Sequence, residues 1–507
     1  MSSERDDGRF DRRKLFKFGG GAAVALAGVG VVSRWKGGVL NPLAATRAEA
    51  NVIPVPPAGV DMFIGGTDGW ITLPGNQTIT SASGVALWPD SYAPAPYNTY
   101  VFGFRNITDL TNNQQSLQKN NAQHSAPLFW VHEVDSAAPK DFKVSITNLG
   151  LAQRPDLFDA HTLHWHGFRN VVPFFDGEPT GSVSVPAGQL FTYVYRPRDP
   201  GTYMYHCHVE DVEHVHMGMN GLVFVHARQD ATGNAAGAPI ARSRGGSASA
   251  PLGYAYNDNM ALSDPSSTAY DRQYAMYMSE VWAESHWADA HIQLPEWSDY
   301  RPDFQLLNGR VYPDTIKPNA PLVPNFNWGA RTPCYLPVQT DSNGDLVAPT
   351  GAPELNRQPL SSLVNCNTGD RVLLRFANLG FKEGAMTLAG IKMRVVGRDA
   401  TPMRGLNATG TSRLNTAGAP TADISYETNV VNVGPGESYD TIFVAPAFDP
   451  TAAVATDAFG SYNTYVLYNR NYSHSDNLAN SDLGGQATEI RVHASGVPAQ
   501  TMPNQDQ

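Results

Sequence analysis

Histidine, cysteine and methionine side chains crowd two short segments in the first half of the chain. Residues 161–166 read HTLHWH and residues 205–208 read YHCH, and His214, His216 and Met219 follow closely. Imidazole, thiolate and thioether groups are ligands for transition metals. Seven of the 14 histidines fall between positions 161 and 216. This spacing favours a metal centre over a collection of hydrogen-bonded structural histidines.

Strand geometry divides these side chains into two sets. Alternate residues of a strand point to the same face, so the two histidines that flank Cys207 share a face, and Cys207 points the other way. In the first segment, His161 faces away from the two later histidines. The all-imidazole set therefore comprises His164, His166, His206 and His208.

The remaining ligands suit a blue-copper centre, which combines two imidazoles, one thiolate and a weak axial thioether. They are His161, Cys207, His214 and Met219. Because Cys207 is covalently flanked by two histidines of the other set, an electron accepted at this centre can pass through a few bonds to the second set. Zinc would accept Cys and His, but it needs neither an interleaved second set nor an axial Met. We therefore predict copper as the cofactor.

At these residues the chain resembles the multicopper oxidases, the laccase-like family of cupredoxin sandwiches. The matching phrases are His161-Thr-Leu-His-Trp-His-Gly, Asp176-Gly177, Val185-Pro-Ala-Gly, Gly201-Thr-Tyr-Met-Tyr-His-Cys-His and Met217-Gly-Met-Asn-Gly. The resemblance is strong over residues 142–225 and continues more moderately through the second half.

The resemblance also implies a role for each ligand. It places type 1 copper at His161, Cys207, His214 and axial Met219, type 2 copper at His164, and a type 3 pair at His166, His206 and His208. Cys207, His206 and His208 would then be catalytic, because they connect the two centres.

The first departure from the family pattern is the interval from Cys207 to His214, which is seven residues where laccases usually have five. His214 is preferred to His216 as the ligand because the interval from His214 to Met219 is five residues, as is familiar in laccases. The interval contains acidic residues at 210, 211 and 213. They fit a solvated loop, or alternatively a docking patch for a cation or a basic electron donor.

The second departure lies in the second half of the chain. A laccase cluster needs eight histidines from two domains, but the corresponding segment here, residues 385–391, reads AMTLAGI. The second half has only His286, His291, His474 and His493, none of them in a His-x-His pair. A copper nitrite reductase is also disfavoured, because it would need a histidine from a second domain.

We therefore predict an oxidoreductase of multicopper oxidase type, in which a reducing substrate gives single electrons to type 1 copper and a histidine-bound cluster reduces dioxygen. The cluster would form across a two-fold axis between chains, which predicts a homo-oligomer. The donor is a small reducing substrate or an electron-donor protein. The alternatives are a blue-copper electron-transfer protein and a copper-storage or copper-sensing protein.

The elements that position these ligands are predicted to be strands. The chain has 507 residues, 42% of them hydrophobic, with 46 Gly and 37 Pro. Short apolar runs between turn residues indicate an all-β protein with two Greek-key cupredoxin-like β-sandwich domains. We place a copper-binding domain at 51–227, a linker at 228–251 and a copper-free domain at 252–507, with residues 51–90 as an extended lead-in.

Repeated phrases indicate that the two domains are duplicates. A predicted strand ends in Asn148-Leu149-Gly150 in the first domain and in Asn378-Leu379-Gly380 in the second. The phrase VPAGQ at 185–189 is likewise echoed by VGPGE at 433–437.

Residues 1–50 predict a twin-arginine signal peptide and export to the periplasm or the cell exterior. Arg12-Arg13 precedes the apolar run Phe18–Val32, and Ala48-Glu49-Ala50 offers a cleavage site. A membrane-anchoring helix is the alternative for this run. The net charge of -11 argues against a nucleic-acid partner. In an oxidising compartment Cys334 and Cys366 could pair.

Overall fold

Strands dominate the chain because its Val-, Ile-, Tyr- and Phe-rich runs are short and are separated by turn residues. The computed structural model describes residues 53–134, 141–169, 172–228, 253–258, 260, 264–323, 335–406, 421–474, 484–500 and 502–505. Within these ranges the longest helix has 8 residues, and no helix is both long and apolar enough to cross a membrane.

The first sandwich packs two four-stranded sheets around the larger apolar core, with strand orders β4-β1-β6-β8 and β5-β10-β9-β7. Its strands are β1 (Met62–Ile71), β2 (Ile79–Thr80), β3 (Ala86–Trp88), β4 (Thr99–Asn106), β5 (Phe129–His132), β6 (Phe142–Gly150), β7 (His164–His166), β8 (Leu190–Tyr195), β9 (Gly201–His206) and β10 (Asn220–His226). Its helices are α1 (Asn112–Ser116), α2 (Asp211–Met217) and the 3-10 turn Pro173–Phe175.

The second sandwich has its own apolar core between a seven-stranded and a six-stranded sheet. Its strands, with the β11–β12 ribbon that precedes them, are β11 (Gly253–Tyr254), β12 (Ala269–Tyr270), β13 (Arg272–Val281), β14 (Phe304–Leu307), β15 (Val364–Asn367), β16 (Arg371–Asn378), β17 (Gly384–Leu388), β18 (Met393–Arg398), β19 (Thr401–Pro402), β20 (Tyr426–Thr428), β21 (Val430–Val433), β22 (Ser438–Val444), β23 (Ala455–Asp457), β24 (Gly460–Asn469) and β25 (Ala487–His493). Its helices are α3 (Ala283–Ala290) and the 3-10 turns Trp297–Asp299, Asp314–Ile316, Pro353–Leu355 and Tyr472–His474. The predicted all-β class with two cupredoxin-like sandwiches is confirmed.

The two sandwiches share strand order and pairing. The run β4-β1-β6-β8 matches β14-β13-β16-β22, with antiparallel, parallel and antiparallel neighbours in both. The run β5-β10-β9-β7 matches β15-β25-β24-β17, with one parallel pair followed by two antiparallel pairs. This correspondence supports the duplication that the repeated phrases predict.

The repeated asparagines make the same hydrogen bonds in both copies. Asn148 Nδ2 donates to the carbonyl oxygen of Val185 at 3.0 Å, and Asn378 Nδ2 donates to that of Val433 at 3.0 Å. Each asparagine also accepts a hydrogen bond, at 2.8 Å, from the backbone N–H two residues later. Each repeated phrase is therefore a turn that ties the end of β6 or β16 to the segment before β8 or β22.

The predicted extended lead-in at 51–90 is wrong, because it contains β1. All ten residues of this strand are buried, and it pairs with β4 and β6 at the centre of its sheet. Its sequence, MFIGGTDGWI, is typical of a loop because of its three glycines and lacks a period-2 pattern. Those glycines allow side chains of neighbouring segments to approach the backbone closely, as at Gly65, where a methyl group would lie 2.8 Å from Leu149 Cδ1.

A buried ion pair of the second sandwich hydrogen-bonds to the first sandwich. Arg375 on β16 lies 3.2 Å from Asp440 on β22, with 0% and 1% of the side chains exposed. Asp440 also accepts hydrogen bonds from Thr202 Oγ1 of β9 and from the Tyr256 hydroxyl, both at 2.6 Å. Strand β9, which ends in the predicted ligands, is thereby bonded to the second sandwich.

Several predictions fall outside the described residues. These are the signal peptide at 1–50, the linker at 228–251 apart from Arg228, and the pairing of Cys334 with Cys366, since Cys334 is not described.

Candidate metal centres

The β9–β10 hairpin and its connecting helix position three of the four predicted blue-copper ligands. Cys207 directly follows β9 and Met219 directly precedes β10, and the Cys207 N–H donates to the Met219 carbonyl oxygen at 3.0 Å. Helix α2 fills the interval between them and carries His214. The Met219 N–H donates to the His214 carbonyl oxygen at 2.9 Å, so the end of the helix is fixed to the hairpin.

These side chains meet His161 in the core of the first sandwich. Potential ligand atoms of His161, Cys207 and His214 lie within 4.8 Å of one another, and Cys207 Sγ is 3.3 Å from His214 Nδ1. All three residues and Met219 have no exposed surface. A methyl group at Gly66 would lie 2.7 Å from His161 Cδ2 and 3.4 Å from Met219 Cε, so both side chains pack against the same glycine.

The buried nitrogens of His161 favour a metal. Neither Nδ1 nor Nε2 of this ring has a hydrogen-bond partner among the described residues. A buried polar atom without a partner costs about 1–3 kcal/mol, and a metal ion held with Cys207 and His214 would remove this cost. Two imidazoles, a thiol and a neighbouring thioether are the donor set of blue copper.

The charge state of Cys207 also suits metal binding. Burial alone would raise the pKa of this thiol, but the imidazoles of His214 and His161 outweigh burial and hold the pKa well below its ordinary value. The thiolate is the form of cysteine that ligates metals.

The structure separates His214 from the alternative ligand His216. Residues two apart on a helix point in different directions. The side chain of His216 therefore points away from Cys207 and toward the second sandwich. There its Nε2 accepts a hydrogen bond from the Trp282 N–H at 3.2 Å, and its ring lies 5.0 Å from that of His286. The acidic interval that was predicted to be a solvated loop is thus, from Asp211 onward, a helix.

Strand β7 brings the all-imidazole set together against β9. His164 pairs with His206 in the strand register, and potential ligand atoms of His164, His166 and His206 lie within 4.8 Å of one another. His166 Nδ1 is 3.4 Å from His206 Nε2. The ring of His208 lies 5.1 Å from that of His164. Three of the four residues are half-buried and His206 is buried, so this site lies close to the surface.

Backbone carbonyl groups orient two of these rings. His164 Nδ1 hydrogen-bonds to the Asp176 carbonyl oxygen, and His206 Nδ1 hydrogen-bonds to the Cys207 carbonyl oxygen, each at 2.8 Å. With Nδ1 as donor, Nε2 of each ring is left as the ligand atom. Burial lowers the pKa of His206 to about 3, so this imidazole is neutral, as metal binding requires.

Thr162 connects the two sets and was missed by sequence reasoning. Its N–H donates to Cys207 Sγ at 3.4 Å, and its Oγ1 accepts from the His208 N–H at 2.8 Å. The only feature of the sequence that could have indicated this role is the position of Thr162 between two predicted ligand histidines. Asp159, two residues before His161, and Gly66 were missed as well, the latter because it lies in the overlooked strand β1.

The second sandwich supplies no imidazole to these sites within the described residues. Strand β17 takes the place of β7, and its sequence is GAMTL. Two histidines of the second sandwich make other contacts. His291 Nε2 lies 3.0 Å from Asp90 Oδ1, and His474 Nδ1 lies 3.0 Å from Asn469 Nδ2. A methyl group at Gly436, in the turn before β22, would lie 3.0 Å from His166 Nε2. The second sandwich therefore contributes a backbone wall beside the imidazole set.

The segment that carries both ligand sets is similar to known proteins. Residues 141–230 match the family model described as multicopper oxidase. The laccase-like multicopper oxidase 1 of Thermothelomyces thermophilus is 42% identical over 52 residues, which are 10% of this chain and 8% of that protein. The matched segment is therefore a small part of the relative.

Solved structures give broader but weaker matches. The blue copper oxidase from Nitrosomonas europaea is 18% identical with a TM-score of 0.45, over 85% of each chain. The multicopper oxidase mgLAC is 20% identical with a TM-score of 0.47, over 86% of this chain and 87% of its own. The laccase from Botrytis aclada is 16% identical with a TM-score of 0.44, over 89% and 56% respectively.

The segment 141–230 contains all eight predicted ligand positions, from His161 to Met219. In this segment the chain is similar to the multicopper oxidases.

Proposed function

We propose that the protein oxidises a reductant by one electron at a blue-copper centre and transfers the electrons to a histidine-bound copper cluster that reduces dioxygen. The observation that supports this most directly is the position of Cys207. Its thiol contacts the ring of His214, whereas the adjacent His206 faces the imidazole set. One short segment of chain thus belongs to two metal sites.

Copper would supply the one-electron chemistry in both sets, and the chain's own residues hold and connect the sites. Thr162 stabilises the Cys207 thiolate through its N–H and fixes the His208 backbone through its hydroxyl oxygen. His206 Nδ1 hydrogen-bonds to the Cys207 carbonyl oxygen, which adds a second link to the covalent one. Burial of Cys207 and His161 excludes water from the blue site.

The imidazole set of a single chain is incomplete for a three-copper cluster. Among the described residues, four imidazoles meet at this site, and the second sandwich adds none. Two chains related by a two-fold axis would supply eight, with the His164 side chains closest to the axis. The half-buried position of the site is consistent with a second chain covering it. We therefore propose that the active form is a homo-oligomer.

Counting copper per chain tests this function. Full ligand sets at a shared cluster give about 2.5 copper ions per chain, whereas an electron carrier with only the blue site gives about 1. We expect the higher value, together with oxygen uptake and near-ultraviolet absorption from a coupled copper pair. A blue protein with about 1 copper ion and no oxygen uptake would instead identify an electron-transfer protein.

We also propose export by the twin-arginine route to the periplasm or the cell exterior. The proposal rests on Arg12-Arg13 and the apolar run that follows. Replacing both arginines by lysine should retain the protein in the cytoplasm, as measured by cell fractionation. Unchanged export of this variant would contradict the proposal.

A further inference from the structure

The outer edge of the blue site reaches the surface at two acidic segments, 156–159 and 210–213, which we call the donor face. His214 Nε2, on the ring edge away from the cysteine, lies 3.5 Å from Asp159 Oδ2. Potential ligand atoms of Asp159, Glu210 and His214 lie within 4.8 Å of one another. Asp159 is half-buried and Glu210 is exposed, so these carboxylates lie between the buried ring of His214 and the surface.

The donor face is strongly acidic. It carries Asp156, Asp159, Glu210, Asp211 and Glu213. The neighbouring base, Arg154, is buried and already lies within 3.1 Å of Asp156 and Asp289. Arg154 compensates the charge of Asp156, so the negative charge of this face rests on Asp159, Glu210, Asp211 and Glu213.

Two large apolar side chains project from the same segments. Phe158 is 82% exposed and Val212 is 50% exposed; Phe158 directly precedes Asp159, and Val212 lies between Asp211 and Glu213 in sequence. A cavity of about 100 Å³ in the described part of the chain is lined by other residues, among them Arg105, Tyr335 and Leu346. Exposed apolar side chains beside charged ones are typical of a surface that binds another protein.

We propose that the donor face docks a small basic electron-transfer protein, which gives one electron to the blue site through the edge of His214. Phe158 and Val212 provide the apolar contact, and the carboxylates attract lysine or arginine side chains around the partner's redox centre. The partner is oxidised by one electron and the blue site is reduced by one, and no proton is transferred. This inference rests on the proposed oxidase function and specifies its electron donor.

Stopped-flow reduction of the copper-loaded protein by a lysine-rich c-type cytochrome tests the proposal. The rate constant should fall about tenfold or more when the cytochrome lysines are acetylated or when the ionic strength rises from about 0.01 to 0.15 M, because the Debye length shortens. At low salt, the double variant Glu210→Gln/Asp211→Asn should also have a lower rate constant for reduction than the wild type. The control Glu427→Gln/Asp449→Asn removes two exposed carboxylates from the second sandwich and should react at the wild-type rate.

Binding of the same cytochrome to the copper-free protein, measured by calorimetry, separates docking from catalysis. Charge-dependent binding without any blue colour after copper loading would support the donor face and reject the oxidase proposal. The docking proposal alone would be overturned if the protein is a blue oxidase and its rate constant for reduction by the cytochrome does not change with acetylation, salt or the Glu210→Gln/Asp211→Asn variant. Fast reduction by aqueous Fe(II) with no cytochrome binding would also overturn it and assign the face to a metal cation.

Discussion

Several predicted ligands of the two sets are held by a hydrogen bond or a close contact from a residue that is itself not a ligand. Thr162 bonds to Cys207 and to the backbone of His208, and Gly66 packs against His161. Ligand types could be predicted from the sequence, because period-2 spacing makes neighbouring ligands face apart. The supporting residues could not, since Thr162 and Gly66 act across 45 or more positions of the chain.

Cys207→Ser tests the blue site at its central ligand. The variant should lose an intense absorption near 600 nm, a rough position for charge transfer from thiolate to Cu(II). Met219→Leu should retain the colour and raise the reduction potential, because a weak axial donor to Cu(II) is lost. Both are read by visible spectroscopy and redox titration. A colourless wild-type protein after Cu(II) loading would refute the assignment.

Gly66→Ala tests the packing of the same site from the neighbouring strand. The added methyl group would lie 2.7 Å from His161 Cδ2, so the imidazole has to move. We expect a shifted or weakened blue absorption and a loss of about 1–3 kcal/mol in the free energy of unfolding. Gly59→Ala is the contrast, since a methyl group there meets no atom within 4 Å. Its positive φ costs some stability, but the spectrum should not change.

At the scale of elements, the short apolar runs between turn residues predicted an all-β protein, whereas β1 and α2 were missed. The predicted strands combine β-branched and aromatic residues with clear turn boundaries. Strand β1 has three glycines and no alternation. Helix α2 has seven residues and begins after Glu210, which has a φ of 47° and makes no side-chain cap hydrogen bond, so no start signal marks it.

The repeated asparagine turns provide a matched pair of variants. Asn148→Ala and Asn378→Ala each remove hydrogen bonds to two carbonyl groups and one N–H, so each should cost about 2–4 kcal/mol in chemical denaturation. Only Asn148 donates to the Asp159 carbonyl oxygen, at 2.8 Å. Asn148→Ala alone should therefore alter the blue absorption. Equal spectra in the two variants would show that this turn does not position the blue site.

At the scale of the whole molecule, the described residues of the second sandwich add no imidazole to the set of four rings, and the proposed function then depends on association. The sequence could predict the missing ligands at 385–391, because β17 replaces β7 without an imidazole. It could not predict the close approach of Gly436 to His166, which depends on how the turn before β22 packs against the first sandwich.

His164→Ala tests the shared cluster. The variant should lose oxygen uptake and type 2 copper while the blue colour remains, because Cys207 and His161 lie in the core on the other side. It should also weaken the oligomer, since metal ligands that bridge two chains contribute to assembly free energy. Light scattering with and without a copper chelator measures the mass. A strict monomer that reduces dioxygen would rule out a cluster between chains.

The buried contact of Arg375 and Asp440 with Thr202 has a consequence for how the protein melts. Because the Thr202 hydroxyl of β9 hydrogen-bonds to Asp440 and Arg375 of the second sandwich, unfolding of either sandwich alone would remove partners from buried polar groups, at a cost of about 1–3 kcal/mol for each group left without one. The two sandwiches should therefore melt in one calorimetric transition. Copper bound only in the first would then raise the transition temperature of both, so the sandwich without ligands is also protected from heat and proteolysis by the metal.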